Sequence, residues 1–512
     1  MDDKAESQAE VLAFLADAAT NGGQTARRID THAASVFLAG DRALKVKRAV
    51  RFPFLDYSTL AKRKAACEAE LAVNAPYAPD IYRGVVAITR EANGKLAVGG
   101  SGTPIEWAVD MRRFDEKRTL DHVTGEIDEA LADALGSAVA AAHAKADRVD
   151  AEPWITALGG YIDEHAEAFG KHPEIFPAAD NKALARASRA VYARIVPLLR
   201  KRGREGFVRR IHGDLHLGNI ALIDGKPVLF DAIEFSEIIA SGDVFYDLAF
   251  LLMDLLERGL ASPANIVFNR YLADTRRIED LDALAAMPFF LSMRAAIRAR
   301  VTAARMERAA AREHAPIARA AHAYFVFALR AISPPAPKLV AVGGLSGTGK
   351  TKLARGLAAQ IEPMPGAVVL RSDVERKALF GVGETDKLPA DAYREEVTDR
   401  VYALLADKAR RVLAAGHSVV VDAVFAQAQA RDAIGKTAKS ANVALRGVFL
   451  SADLETRIAR VGARARDASD ADAAVAQAQE RYDLGPLDWI KIDASGTPEE
   501  TLARTVAALG DL

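Results

Sequence analysis

The sequence predicts two folded units of different class, an α+β unit over residues 1–331 and an α/β unit with a parallel sheet over residues 339–512. Three observations carry this reading. Residues 332–338 read ISPPAPK, and three prolines in seven residues let neither helix nor ladder continue, so this stretch is a linker. Upstream of it, strand-like runs around one helix give way near residue 112 to long helical stretches. Downstream, short apolar runs alternate with helical stretches to the end of the chain.

The upstream unit begins with SVFLAG and RALKVKRAV, which Gly40-Asp41 separates as a hairpin turn would. A helix is expected from Ser58 to about Asn74, then a strand over YRGVVAIT, a turn at EANGK and a further run, LAVGG. These form a small lobe over about residues 1–112. The helical lobe, about 113–331, is interrupted only at 207–235 by FVRRIHGD and KPVLFDAI. Downstream, KLVAVGG, AVVLRSD, HSVVVDA, LRGVFLSA and DWIKIDAS are the expected strands. Among the intervening helices, the one from Val397 to about Ala415 places Val397, Val401, Leu404, Leu405 and Val412 on one face, and Gly416 ends it.

Composition limits what such a chain does. With 68 Lys+Arg against 69 Asp+Glu and 50% hydrophobic residues, it has ample material for cores and no global charge to draw a nucleic-acid polymer or an anionic membrane. The single cysteine, Cys67, excludes an intrachain disulfide and a zinc site built from cysteines. The first residues, MDDKAESQAE, lack the cationic region of a signal peptide, and the apolar stretch Leu248 to Leu256 is broken by Asp254 and too short to span a bilayer. A cytoplasmic location and small-molecule partners are expected.

The downstream unit contains Gly344-Leu345-Ser346-Gly347-Thr348-Gly349-Lys350-Thr351, which fits G-x-x-x-x-G-K-[ST] between a strand and a helix. Gly344, Gly347 and Gly349, with Ser346 and Thr348, let successive amides face a β-phosphate. Lys350 would reach the β- and γ-phosphates and Thr351 would ligate Mg²⁺. Asp373 and Asp422 each end an expected strand; one suits the Mg²⁺ shell and the other an acceptor hydroxyl. Arg457, Arg460 and Arg464 share a helical face, with Arg466 beyond, and could close over phosphates as a lid.

The upstream unit contains His212-Gly213-Asp214-Leu215-His216-Leu217-Gly218-Asn219, followed twelve residues later by Asp231 at the end of the run Pro227 to Phe230. Phosphoryl transfer needs a carboxylate for the hydroxyl proton and separate oxygen ligands for Mg²⁺. Asp214 is the expected base, and Asn219 and Asp231 the metal ligands. Lys45, in RALKVKR, would reach the α- and β-phosphates if an acid on the next helix steadies it; Glu70 is that acid, with Glu68 in reserve. His212 and His216 have zinc-like spacing, but glycines argue for a loop and no third ligand is evident, so His212 is expected to brace backbone. Asp243 and Asp247 are expected to support the loop, and His143 to be packed.

On these residues two resemblances can be named. GLSGTGKT, RSDVERK, the VVVDA strand and the Arg-rich segment resemble the small P-loop kinases of the gluconate kinase, adenylylsulfate kinase and zeta-toxin-like group, over residues 338–512. That likeness implies that Asp373 lies near the acceptor hydroxyl and that Arg376 helps hold the substrate, with Asp422 then left to the metal and Arg460 and Arg464 to the nucleotide. HGDLHLGN and the aspartate after PVLF resemble the aminoglycoside phosphotransferase and choline kinase-like superfamily over about residues 25–330, which implies a bilobal, protein-kinase-like fold. No G-x-G-x-x-G loop precedes Lys45, and Ala232-Ile233 follows Asp231, so regulation by a flipping Asp-Phe-Gly segment is not expected.

The whole chain is similar to bacterial proteins described as bifunctional aminoglycoside phosphotransferase/ATP-binding proteins. This implies two kinase-type modules, each using ATP and Mg²⁺ to phosphorylate a small-molecule hydroxyl. Two other arrangements fit the same motifs: an upstream kinase controlled by a nucleotide-sensing P-loop unit, or an upstream lobe that binds without transferring. An aminoglycoside acceptor would need a strongly acidic pocket, to which Glu234, Glu237 and Asp243 could contribute.

Overall fold

The computed structural model describes residues 8–52, 55–307, 309–463 and 468–510. They form two compact units, residues up to 161 with 196–251, and residues 162–195 with 252 onward.

The first unit contains a six-stranded antiparallel sheet in the order β1-β2-β3-β8-β6-β7. Its strands are β1 (Arg27–Asp30), β2 (Ala34–Ala39), β3 (Arg42–Lys47), β6 (Tyr82–Arg90), β7 (Leu96–Val98) and β8 (Thr103–Arg112), while β4 (Arg51–Phe52) and β5 (Leu55–Asp56) form a separate ribbon. The β2-β3 turn falls at Gly40, whose φ of 56° is open to glycine at little cost. Strand β8, absent from the expected elements, is central and pairs with both β3 and β6. Val11, Leu15, Phe37, Leu44, Val46, Ile88 and Ala108 bury one face of this sheet. On the other, Cys67 of helix Leu60–Asn74 packs with Ile81, Tyr82 and Val109. Thr59 caps that helix through the amide of Lys62.

The same unit carries β9 (Val208–Arg210), which pairs with β12 (Ser241–Asp243), and the hairpin β10 (Ile220–Ile223) and β11 (Lys226–Leu229). The expected interruption at 207–235 is this set of short strands. Strand β11 ends at Leu229 rather than Phe230, so Asp231 lies two residues beyond it with φ of 60°.

In the second unit, helix Ala311–Ile332 ends where the prolines begin, and regular structure resumes at β13 (Leu339–Gly344). Strands β14 (Val368–Arg371), β15 (Val419–Asp422), β16 (Leu445–Ser451) and β17 (Ile490–Asp493) complete a parallel sheet in the order β14-β15-β13-β16-β17. Every residue of β13 is buried, as a central parallel strand requires. Val340, Val342, Leu353, Leu357, Val420, Val448 and Leu450 make its core.

Strand β14 lies at one edge of this sheet, and helix Ala261–Thr275 supplies partners for its backbone. Val369 N donates to Asn269 Oδ1 at 2.7 Å, Asn269 Nδ2 donates to Ala367 O at 3.1 Å, and Asn265 Nδ2 donates to the carbonyls of Pro365 and Ala367. Two asparagines thus satisfy groups that an edge strand leaves open. A Cβ on Gly366 would stand 2.6 Å from Asn265 Nδ2, so this close approach requires glycine.

Candidate active sites

In the first unit, the loop after β9 is shaped from behind by Asp247. Its carboxylate accepts from the amides of His212 at 2.9 Å and Gly213 at 3.0 Å and contacts His143 Nε2 at 3.2 Å. His212 Nε2 bonds Phe230 O at 2.9 Å, tying the loop to the end of β11, and burial lowers its pKa, so the ring is neutral. His212 therefore braces backbone, Asp247 supports the loop and His143 is buried, each as expected. Gly213, at φ of 83°, would set a Cβ 3.2 Å from Ile239 O.

This scaffold presents Asp214, whose side chain is 40% exposed. Asn219 Nδ2 donates to Asp214 Oδ2 at 3.1 Å and to its carbonyl at 3.0 Å, leaving Asn219 Oδ1 as a separate oxygen donor. Asp231 is fixed through its neighbours: Phe230 N donates to Asn219 O at 3.0 Å, and Asn74 pairs with both backbone groups of Ala232. Lys45 Nζ lies 2.8 Å from Glu70 Oε1 and 2.7 Å from Asp231 Oδ1. Glu70 is the partner of Lys45, whereas Glu68 pairs with exposed Lys64. Burial opposes the charge on Lys45, yet Asp231 and Glu70 outweigh it and hold the ammonium well above its ordinary pKa. The structure thus brings together Lys45, Glu70, Asp214, Asn219 and Asp231.

Lys47, two residues along β3, was not anticipated. It is buried and paired with Glu70 and Glu234, and Tyr57 donates to Glu234 at 3.1 Å. The i, i+2 spacing of the two lysines was the available signal, since both then project from one strand face. Glu234 is therefore neutralised within the fold. Asp243 is fully buried against Arg202, with bonds of 2.6 and 3.0 Å. Neither is an unpaired acid awaiting a polycation; of the three acids considered for that role, Glu237 alone is exposed.

In the second unit, the loop 344–351 turns from β13 into helix Lys350–Ala358. Gly344, Gly347 and Gly349 have φ of 142°, 87° and 88°. A Cβ on Gly347 would lie 2.5 Å from Arg457 O, so no side chain fits there. Thr348 Oγ1 donates to Leu345 O at 2.8 Å, Ser346 N donates to Gln479 Oε1 at 2.7 Å, and Lys350 Nζ reaches Leu345 O at 3.2 Å. Thr351 Oγ1 donates to Asp422 Oδ2 at 2.7 Å, joining the hydroxyl and carboxylate expected in a Mg²⁺ shell.

Asp373 does not end β14; the strand stops at Arg371, and Asp373 lies in the first turn of helix Ser372–Leu379. It still borders the loop. Burial, then the nearby Asp422 carboxylate, raise its pKa against the pull of Lys350 and Arg371. Arg376 Nη1 donates to Ala392 O at 2.6 Å and to Thr398 Oγ1 at 3.3 Å, with its guanidinium 5.0 Å from the Tyr393 ring centre. Both residues line a cavity of about 1100 Å³ that includes residues 346–353 and Asp422.

The expected arginine lid is corrected in part. Arg457 is 1% exposed and donates to Ser346 O at 2.9 Å and Ala476 O at 3.0 Å, so it props the phosphate loop from behind. Arg460 borders the cavity, but its guanidinium bonds the carbonyls of Ala494, Ser495 and Gly496. Arg464 and Arg466 lie outside the described residues. Gln479, which sequence spacing did not mark, holds the amide of Ser346.

These folds and loops define the class: a phosphotransferase with an α+β domain and an α/β P-loop domain. The profile of the phosphotransferase enzyme family matches residues 8–281, and that of an AAA domain matches residues 339–483. The chain belongs to the phosphotransferase enzyme family. Uncharacterized proteins of Mycobacterium tuberculosis strain H37Rv and Mycobacterium bovis are each 30% identical to it over 490 residues, covering 93% of this chain and 93% of theirs. Among solved structures, a choline/ethanolamine kinase family protein from Mesorhizobium loti is 18% identical, covering 63% of this chain and 98% of its own, with a TM-score of 0.39. A gluconokinase from Sinorhizobium meliloti is 20% identical, covering 34% and 91%, with a TM-score of 0.25. Among the described residues, no helix is long and apolar enough to cross a membrane.

Proposed function

We propose that the protein is a two-module phosphotransferase in which each module moves the γ-phosphate of ATP to a small-molecule hydroxyl with Mg²⁺. The modules are residues 1–331 and 339–512, joined by the prolines of 332–338. One observation supports this above others: residues 45–231 and residues 344–422 each assemble their own lysine, oxygen-donor pair and acceptor-side carboxylate.

In the upstream module Glu70 holds Lys45 extended toward the α- and β-phosphates. Asn219 Oδ1 and the Asp231 carboxylate are hard oxygen donors suited to Mg²⁺. Asp214, oriented by Asn219, accepts the acceptor's hydroxyl proton. In the downstream module the glycines of the loop turn amides toward phosphate, Lys350 adds charge at the β- and γ-positions, and Thr351 with Asp422 suits the metal. Arg460 lies at the nucleotide side. Asp373, whose raised pKa favours taking up a proton, faces the acceptor, and Arg376 helps shape that end. Bound MgATP supplies the transferable phosphoryl group and neutralises the charge that develops on it.

A phosphate-transfer and mass-shift screen of cell metabolites tests this on wild type, Asp214→Asn and Lys350→Ala. Each variant should lose a different product and keep the other. Loss of every product in either single variant would contradict two independent modules.

A further inference from the structure

Helix Glu395–Ala414 has two working faces. Val401, Leu405, Ala409 and Val412 are buried in the sheet's cover, while Glu395, Thr398, Asp399 and Tyr402, spaced i, i+3, i+4, i+7, line the cavity beside the phosphate loop. This wall offers two carboxylates, a hydroxyl and a phenol, and no cation. Asp373, on the preceding helix, adds a third carboxylate.

The cations nearest this wall already have partners within the protein. Arg376 is the one cationic side chain that lining residues 372–402 contribute; it is buried, bonds Ala392 O and Thr398 Oγ1, and is covered by Tyr393. Lys377 points to Asp470 Oδ1 at 2.8 Å and to Asp386 O. The other lining cations, Lys350, Lys352, Arg460 and Arg481, belong to the loop helix and to the segments after β16. None of these four cations is on helix Glu395–Ala414, and from the segment after β16 the carboxylate of Asp470 meets this side, accepting from Lys377 Nζ and Tyr393 Oη. The cavity, about 1100 Å³, exceeds the roughly 300–1,000 Å³ typical of one small-molecule site, which leaves room for an acceptor beside a nucleotide.

A carboxylate, sulfate or phosphate on the acceptor would meet like charge at Glu395 and Asp399, whereas hydroxyl and ammonium groups would donate to them. We propose that the acceptor of the downstream site is a polyhydroxylated or amino-bearing molecule without an anionic group, and that Glu395 and Asp399 select it. This rests on the reading of residues 339–512 as a kinase module. In the transfer, the acceptor oxygen bonds to the γ-phosphorus as the bond to the β–γ bridging oxygen breaks. ADP leaves, and the hydroxyl proton passes to the Asp373 carboxylate.

The test uses the full chain with Lys45→Ala and Asp214→Asn, so that both transfer and MgATP binding report on the downstream site. Radiolabelled ATP is offered with glucose, glucosamine, myo-inositol and ethanolamine, and in parallel with gluconate, glucuronate and 3-phosphoglycerate. Turnover is expected only in the first group. Added Glu395→Gln or Asp399→Asn should raise KM about tenfold or more for the amino members while leaving kcat within about threefold. Comparable kcat/KM for an acid member, or no turnover of any member of the first group by a chain that binds MgATP, overturns the proposal. Unchanged KM in both variants removes Glu395 and Asp399 as its determinants. A chain that binds no MgATP at this loop overturns the underlying kinase reading instead.

Discussion

Lys45 Nζ donates to Asp231 Oδ1 at 2.7 Å, joining a strand lysine to a carboxylate 186 positions away. The pair is part of a longer chain, because Glu70 touches both Lys45 and Lys47, and Lys47 continues to Glu234. Burial alone would raise the Glu70 pKa, but the two ammonium groups hold it well below the usual carboxylate range.

Lys47→Met would leave Glu70 and Glu234 buried with one counter-charge fewer. Breaking a buried pair in this way costs about 3–5 kcal/mol. Denaturant titration should show that loss, and the double variant Lys47→Met/Glu234→Gln should recover part of it. An unchanged midpoint in Lys47→Met would show that the lysine is not a structural counter-ion.

Arg457 forks between Ser346 O and Ala476 O, so its removal should loosen the phosphate loop without touching a ligand. Arg457→Lys keeps the charge but loses the planar fork, and MgATP affinity at this site should fall by about tenfold or more. Fluorescent-nucleotide titration in a Lys45→Ala background, which removes the upstream phosphate cradle, reads this directly. Wild-type affinity would exclude the propping role.

These two residues show what was legible in the sequence. The phosphate loop and HGDLHLGN are local strings whose spacing is itself the geometry, so their placement followed from sequence. Lys45 and Glu70 were found because strand and helix each fix a side-chain direction. Arg457 was misread because helical spacing identifies a face but not whether that face meets phosphate or a buried carbonyl. The partners Lys47 and Glu234, and the asparagines that meet β14, join positions far apart in the chain, so no local pattern reveals them. The polar face of Glu395–Ala414 begins two residues before the expected helix start at Val397, so the apolar spacing does not reveal it.

Asn269→Ala removes the acceptor of the Val369 amide and the donor to Ala367 O. An unpaired group at a buried contact costs about 1–3 kcal/mol. Hydrogen exchange at Val369 should accelerate, and the melting temperature of the second unit should fall. Exchange at the wild-type rate would mean that Asn269 contributes nothing to the edge strand.

His417 is fully enclosed, donates from Nε2 to Gly366 O at 2.9 Å, and stacks edge-on against Phe268. Because the carbonyl can only accept, Nε2 carries the proton. Burial lowers the pKa from 6.5 to about 4 despite that bond. The unfolded chain therefore binds the extra proton first as pH falls. The stabilisation is present above about 6.5 and is lost as pH falls through about 4, amounting to about 3 kcal/mol. Thermal melts at pH 7 and pH 5 should show a larger acid-side drop for wild type than for His417→Gln. Equal drops would remove His417 as a source of acid sensitivity.

Isothermal calorimetry with a non-hydrolysable ATP analogue and Mg²⁺ most directly tests whether the chain carries two nucleotide sites. Wild type should bind two equivalents per chain, and Lys45→Ala and Lys350→Ala one each, since each lysine serves its own phosphate cradle. A wild-type stoichiometry of one, abolished by a single one of these substitutions and untouched by the other, would contradict the two-module assignment.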